Sequence, residues 1–162
     1  MRAERVSIDP IAQFMQEHDQ ALTQLSALTR ATQSIESQGF TAEAYRKVLN
    51  ALEFIDDEVS VHNACEEEAL FPVLERYVEG PTKLMRDEHK VLRREFRKLR
   101  TAVARLERER ESVPAAQELV RVSRGMVQLF VNHIHKENHI LFPLVQKFLT
   151  KDALREVARR ML

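Results

Sequence analysis

The chain carries the stretch HNACEEEALFP at residues 62–72 and the stretch HIHKENHILFP at residues 133–143. Each begins with a histidine, has a glutamate four residues later and ends in Leu-Phe-Pro, and the two copies lie 71 positions apart. A spacing of four puts the histidine and the glutamate on one face of an α-helix, one turn apart. The repeat therefore indicates two copies of a helical unit that each direct an imidazole and a carboxylate towards one cavity.

The offset of 71 residues extends beyond these two stretches. His18 and His89 are also 71 positions apart, and each directly follows a glutamate. Each half of the chain is therefore predicted to be a helical hairpin with one histidine on its first arm and His-x-x-x-Glu on its second. In both hairpins the first histidines of the two arms are 44 residues apart, which lets them lie at a similar height. Two facing hairpins would gather four imidazoles and two carboxylates from His18, His62, Glu66, His89, His133 and Glu137.

Composition predicts an all-α protein. Only 3 glycines and 5 prolines interrupt long stretches of good helix formers. The boundaries between helices are marked by residues that cap or break helices, namely Ser7 or Asp9 with Pro10, Gly39, Thr41, Gly80 with Pro81, and Ser112 with Pro114. Short connections between four long segments favour an antiparallel up-down four-helix bundle. We expect one domain over residues 1–162, with the bundle core at about 8–149 and a short C-terminal fifth helix at about 150–162.

Apolar residues recur at steps of three and four along all four segments, as they do on the inward face of a bundle helix. The six ionisable residues named above interrupt these stripes at inward positions. The other expected inward positions include Leu22 or Ala21 in the first segment, and Ile140 or Leu141 followed by Leu144 in the fourth. The proline of each Leu-Phe-Pro is expected to kink or interrupt its helix, because proline lacks a backbone N–H and clashes with the preceding turn.

Charge and hydropathy argue against several functions. The 25 basic and 25 acidic residues balance, so there is no net basic field to attract nucleic acid or anionic lipid. The basic run RREFRKLR at residues 93–100 includes core positions and a glutamate, and is interpreted as a solvated helix face. No long apolar run or secretory signal is present, and the lone Cys65 cannot form an internal disulfide. We therefore expect a cytoplasmic protein with no nucleic-acid and no membrane partner.

Two explanations account for ionisable residues in a bundle core. In the first, each motif histidine bonds to the glutamate four residues later without any metal, which leaves His18 and His89 unexplained. In the second, cations neutralise both carboxylates and are ligated by all four imidazoles. Because a buried carboxylate without a partner costs several kcal/mol, the second explanation is preferred.

Imidazole nitrogen with carboxylate oxygen, and no set of thiolates, favours iron or manganese, with zinc as a further alternative. Two carboxylates related by the repeat can each bridge two ions, and two histidines can bind each ion at its outer side. With one bridging oxygen, each ion would have about five donors, one fewer than an octahedral iron. An open position on each ion is the consequence.

His18, His62-x-x-x-Glu66, His89 and His133-x-x-x-Glu137, with Leu-Phe-Pro after each glutamate, resemble the hemerythrin-like, or HHE cation-binding, family. The resemblance covers roughly residues 8–149. It implies a four-helix bundle around a non-haem diiron centre, with these six residues as the metal ligands and with the carboxylates bridging the irons. It also implies a vacant position that takes dioxygen or a related small ligand.

The chain departs from the respiratory oxygen carriers of that family at two positions. Arg93 stands where the carriers have a further histidine, and Glu137 stands where they have an aspartate. The pattern is closer to bacterial and sensor-type members, with proposed roles in oxygen, redox or iron sensing, peroxide breakdown and nitric oxide chemistry. We expect a protein that binds or redox-processes dioxygen, nitric oxide or peroxide, and an iron-handling or sensing protein without turnover is the alternative. A ferritin-like oxidase is disfavoured because no histidine has a glutamate three positions before it.

Other polar residues near the motifs are expected to lie outside the ligand set. His135 and His139 are predicted at the surface. Glu17, Glu67, Glu68 and Glu88 are predicted on solvated helix faces, with the alternative for Glu67 that it orients a ligand histidine.

Overall fold

A computed structural model describes residues 9–162, and these fold into five consecutive helices without a strand. The helices are α1 (Pro10–Gln38), α2 (residues 42–74), α3 (Thr82–Arg108), α4 (residues 113–148) and α5 (Lys151–Arg160). α1 packs along α2 and α4, and α3 packs along α4. Short connections join successive helices, so α1–α4 form the bundle expected from the sequence, and α5 docks against α1 and α2. Within the described residues, no helix is both long and apolar enough to cross a membrane.

α2 and α4 are not uniform α-helices, because each contains π-helical turns. The segments of α2 are Ala42–Phe54, the π turn Ile55–Val59, Ser60–Cys65, the π turn Glu66–Leu70 and Phe71–Leu74. The segments of α4 are Val113–Lys136, the π turn Glu137–Leu141 and Phe142–Phe148. The N–H groups of Phe71 and Phe142 donate to the carbonyl oxygens five residues back. Each Leu-Phe-Pro thus interrupts the α-helix through a π turn, and the α-helix resumes at its phenylalanine.

The helix starts follow the capping residues expected from the sequence. The Asp9 carboxylate accepts a hydrogen bond from the Ile11 N–H at 2.9 Å, and Pro10 occupies the first turn. The same type of cap is made by Thr41, Ser112 and Thr150 for α2, α4 and α5. Each such cap typically contributes about 1 kcal/mol to stability. Ser7, the alternative cap for α1, lies outside the described residues.

The apolar core has two parts, with the ionisable side chains between them. One cluster fills the end where α1 leads into α2, and its fully buried members include Leu28, Val48 and Leu99. The other fills the opposite end and includes Phe14, Phe71, Phe142 and, from α5, Ala153 and Val157. α5 therefore closes the open end of the bundle with its apolar face.

The π turns change which residues face the core beyond each glutamate. In α4, Leu141 and Val145 are fully buried, whereas Ile140 is 51% exposed and Leu144 is only partly buried. The prediction that Leu144 faces the core is therefore wrong. The π turn contains one extra residue, so the inward-facing residue after it comes one position later in the sequence. In α1 the inward residue is Ala21, which is 5% exposed, and Leu22 lies at the edge of the core.

Candidate metal centre

The six residues predicted from the repeat meet in the layer between the two apolar clusters. Glu66, His89 and Glu137 are completely buried, and the exposed fractions of the other three histidines are 8% or less. They form two overlapping groups in which the ligand atoms all lie within 4.8 Å of one another. One group contains His18 and His62, the other contains His89 and His133, and both groups share Glu66 and Glu137. The layer thus offers two adjacent positions for cations.

The Glu137 carboxylate spans the two groups. Its Oε1 atom lies 3.0 Å from His18 Nε2 and 4.0 Å from His62 Nε2. Its Oε2 atom lies 3.3 Å from His133 Nε2 and 3.9 Å from His89 Nε2. One oxygen therefore faces each group, which is the arrangement that a bridging carboxylate requires.

Glu66 also lies between the groups, but through a single oxygen. Its Oε1 atom is 3.3 Å from His62 Nε2 and 3.3 Å from His89 Nε2. The Nε2 atoms of His89 and His133 are only 3.2 Å apart. Two imidazole lone pairs at this distance repel each other unless a proton or a cation lies with them.

In each of the four histidines of this layer, the other ring nitrogen, Nδ1, contacts a hydrogen-bond acceptor. The four Nδ1 contacts are His18 to Asn138 Oδ1 at 2.7 Å, His62 to Glu17 Oε1 at 2.9 Å, His89 to Glu67 Oε1 at 3.0 Å and His133 to Glu88 Oε1 at 2.8 Å. Ionised carboxylates only accept hydrogen bonds, so Nδ1 carries the proton and Nε2 presents its lone pair to the centre. This is the tautomer of a metal-ligating histidine.

These contacts correct part of the sequence-based interpretation. Glu17 and Glu88 are predicted on solvated faces, yet each accepts from a histidine Nδ1. Glu67 is predicted on such a face too, and the structure instead agrees with its alternative role, since it accepts from His89 Nδ1. The residues predicted from the sequence do not include Asn138. The repeat itself could have identified it, since Asn138 is 71 positions after Glu67 and Glu88 is 71 positions after Glu17.

The two glutamates lack the partners that buried carboxylates need. Among the described residues, the oxygens of Glu66 and Glu137 have no hydrogen-bond donor apart from the imidazoles, whose Nε2 atoms can donate only when protonated. Burial raises the pKa of Glu137, but the imidazoles of His133, His18 and His62 outweigh this and hold its pKa well below the usual value. Both acids are therefore suited to positive charge at their oxygens.

The same carboxylates raise the pKa values of His133 and His62. Burial lowers the pKa of His133, yet the nearby carboxylates, Glu137 foremost, raise it to about 9. Burial likewise opposes protonation of His62, but the carboxylates around it, Glu66 first, raise its pKa well above the ordinary value. The metal-free centre therefore attracts protons where a cation would otherwise balance the acids.

The phenylalanine of each Leu-Phe-Pro supports a histidine of the other hairpin. Phe142 stacks on His18 with ring centroids 5.5 Å apart, and Phe71 stacks on His89 at 6.0 Å. Phe142 also stacks on Phe14, and the rings of Phe14 and His62 meet edge-on with their centroids 5.1 Å apart. The apolar floor beneath the centre therefore fixes the imidazole planes and excludes water from that side.

A small cavity adjoins the centre on its other side. Its volume is about 20 Å³, and His18, His62, His133 and Glu137 contribute to its walls. Ala21, Val59 and Phe130 line its apolar part, and Gln20, Phe54 and Glu58 lie at its outer edge between α1 and α2. A cavity of this size has room for about one water-sized molecule.

The remaining residues considered near the motifs do not join the ligand groups. His135 and His139 are exposed, as predicted. Their rings stack on each other with centroids 5.8 Å apart. Cys65 is half-buried, and burial raises the pKa of its thiol, so it is not an activated thiolate. Arg93 Nη1 lies 3.8 Å from Glu67 Oε1, outside the imidazole layer.

Comparison with known proteins agrees with this geometry. A search of curated proteins found no match. The family model of the hemerythrin HHE cation-binding domain matches residues 9–145 and again residues 80–162, and the second match begins just before α3, where the second hairpin begins. Cation binding is the property that defines this family, and the two His/Glu groups are able to hold metal ions. The chain therefore belongs to the hemerythrin HHE cation-binding domain family.

Proposed function

We propose that the chain holds two iron ions, one at each His/Glu group, and uses them to bind or redox-process dioxygen, nitric oxide or peroxide. The observation that carries the proposal is the pair of fully buried carboxylates that, among the described residues, have no hydrogen-bond donor apart from the four imidazoles around them. Without cations, this layer would cost several kcal/mol per buried charge. Bound cations neutralise it and use every one of the six side chains.

The donor set fits iron. Each group supplies two imidazole nitrogens and oxygens from both glutamates, so a bridging oxygen would leave each ion short of octahedral coordination. Manganese shares these preferences, and zinc is a weaker alternative because it favours a closed tetrahedron. Iron, unlike zinc, can supply or accept electrons when a small oxidant binds.

The chain's own residues restrict what reaches the ions. The cavity of about 20 Å³ admits a ligand of one or two heavy atoms and excludes larger organic substrates. Ala21, Val59 and Phe130 keep its inner wall apolar, and Phe142 and Phe71 seal the opposite side. Complete burial of Glu66 and Glu137 favours ions that stay as a cofactor over ions carried as cargo.

Metal analysis and spectroscopy test the proposal. The full chain is purified without oxygen, loaded with ferrous iron and measured for iron per chain, then exposed separately to dioxygen, nitric oxide and peroxide. We expect two irons per chain and a change in the visible spectrum with at least one ligand. A spectrum that reverts on oxygen removal favours a binding protein, and sustained loss of added peroxide favours an enzyme. Folded protein that retains no transition metal would contradict the proposal.

Filling the cavity should block ligand access without removing metal. Ala21→Leu adds three carbon atoms at a wall position that is 5% exposed, and the cavity has no room for them beside a ligand. We expect unchanged iron content and at least a tenfold slower reaction with azide or nitric oxide, measured by stopped-flow absorption. Ala27→Leu on the same helix, at a half-buried position away from the cavity, is the control and should react at the wild-type rate. Equal rates for all three proteins would show that ligands enter elsewhere.

A further inference from the structure

The acceptors that hold the four Nδ1 atoms follow the internal repeat with one exception. Glu17 and Glu88 occupy equivalent positions and hold His62 and His133. The other equivalent pair is Glu67, which holds His89, and Asn138. Three histidines therefore donate to a carboxylate, and His18 alone donates to an amide.

This exception makes the two metal positions chemically different. A carboxylate that accepts the Nδ1 proton makes the imidazole a stronger donor through Nε2, whereas a neutral amide does so less. The group with His89 and His133 has a carboxylate behind both imidazoles. The group with His18 and His62 has a carboxylate behind only one.

The charged neighbours of the acceptors reduce this difference without removing it, because Glu67 and Glu88 still accept the Nδ1 protons through carboxylate oxygens. Arg93 is 46% exposed and lies 3.8 Å from Glu67, beyond hydrogen-bond distance, so solvent weakens its effect on that carboxylate. Lys136 bonds to Oε2 of Glu88, which leaves Oε1 to accept from His133. These cations hold both carboxylates in position around the second group.

We propose that Asn138 makes the position of His18 and His62 the weaker metal site, so that the chain fills the position of His89 and His133 first. This inference rests on the proposed two-metal centre. It assigns to Asn138 a positioning role that acts through His18, without contact with a metal. The difference between the two sites arises because the acceptor oxygen of Asn138 belongs to a neutral amide, whereas the equivalent oxygen of Glu67 belongs to a carboxylate.

Isosteric exchanges at the two unequal positions provide the test. Metal-free protein is titrated with cobalt(II), a probe that does not change oxidation state here, and binding is followed by calorimetry and by the cobalt absorption spectrum. For the wild type we expect two steps whose dissociation constants differ by at least tenfold. Asn138→Asp should strengthen the weaker step by about 10–100-fold and bring the two steps together. Glu67→Gln should weaken the tighter step by a similar factor.

Controls separate the hydrogen bond from a general charge effect. Asn132→Asp places the same new charge at an exposed position on α4, where the Asn132 side chain accepts a hydrogen bond from Gln128, and both steps should stay at their wild-type values. Two equal steps in the wild type, or the same response to Asn132→Asp and Asn138→Asp, would overturn the inference while leaving the two-metal centre intact. Absence of any cobalt binding would instead overturn the proposed function.

Discussion

Replacing Glu137 by glutamine is expected to reduce bound iron from two ions per chain to one or none. The two oxygens of Glu137 lie within 4.0 Å of Nε2 atoms from both His/Glu groups, and this side chain is completely buried. An amide nitrogen in place of one oxygen removes an anionic donor from one group and presents N–H to an imidazole lone pair. The amide is also neutral, so the other group loses the negative charge on its remaining oxygen, and both metal positions should lose affinity.

The expected change in stability follows from linkage between folding and metal binding. A metal present at a hundredfold excess over its dissociation constant stabilises the folded chain by about 2.7 kcal/mol. In a chain of this size that is a rise of about 5–10 °C in the unfolding temperature. Calorimetric scans with and without iron should show this rise for the wild type and little or none for Glu137→Gln.

The surface histidine His135 provides the matched control. His135→Ala removes an imidazole two residues from Glu137 but at an exposed position, so iron content and the metal-dependent rise should both stay unchanged. If His135→Ala and Glu137→Gln had the same effect, the assignment of inward and outward faces on α4 would be wrong.

Phe142→Ala is expected to lower the free energy of unfolding by about 3–5 kcal/mol. The Phe142 ring is 1% exposed and stacks on both Phe14 and His18, so its removal leaves a cavity directly beneath the centre. His18 also loses the surface that fixes its ring plane. We therefore expect weaker binding of the ion at the His18 and His62 group in addition to the loss of stability.

Urea unfolding of the metal-free protein measures the loss of stability, and cobalt titration measures the weaker ion binding at the His18 and His62 group. Phe142→Leu keeps most of the buried volume and should cost less than about 1.5 kcal/mol. Phe148→Ala, one turn and a half further along α4 at a ring that is 37% exposed, should cost about 1 kcal/mol or less. A loss at Phe142 no larger than the loss at Phe148 would contradict the supporting role of the Leu-Phe-Pro ring.

The gathering of six ionisable side chains was predictable because it depends on features that a sequence displays directly. Helical spacing of four fixes which face His133 and Glu137 share, and the offset of 71 residues pairs them with the equivalent face of the first hairpin. The capping residues and the scarcity of glycine and proline likewise fixed the number and order of the helices. All these signals are local or periodic, and tertiary packing did not override them.

The parts that were missed depend on atoms and turns that spacing does not determine. Straight α-helical periodicity placed Leu144 inward, but the π turn at Glu137–Leu141 turns Val145 to the core. Glu17 and Glu88 looked like surface acids because their neighbours are polar, and only the ring orientation of His62 and His133 brings them to an Nδ1 atom. A repeat in sequence identifies equivalent residues, while the bond that each one makes follows from packing.

Two of the four histidines are held by the opposite hairpin, since Asn138 of the second hairpin fixes His18 of the first, and Glu67 of the first fixes His89 of the second. Both His/Glu groups contain a glutamate from each hairpin, so uptake of the proposed metal ions is expected to be coupled to assembly of the two halves. Glu66, His89 and Glu137 are completely buried. If ions are bound as proposed, we therefore expect their release to slow when the two halves are held together, for example by a covalent link between the hairpins.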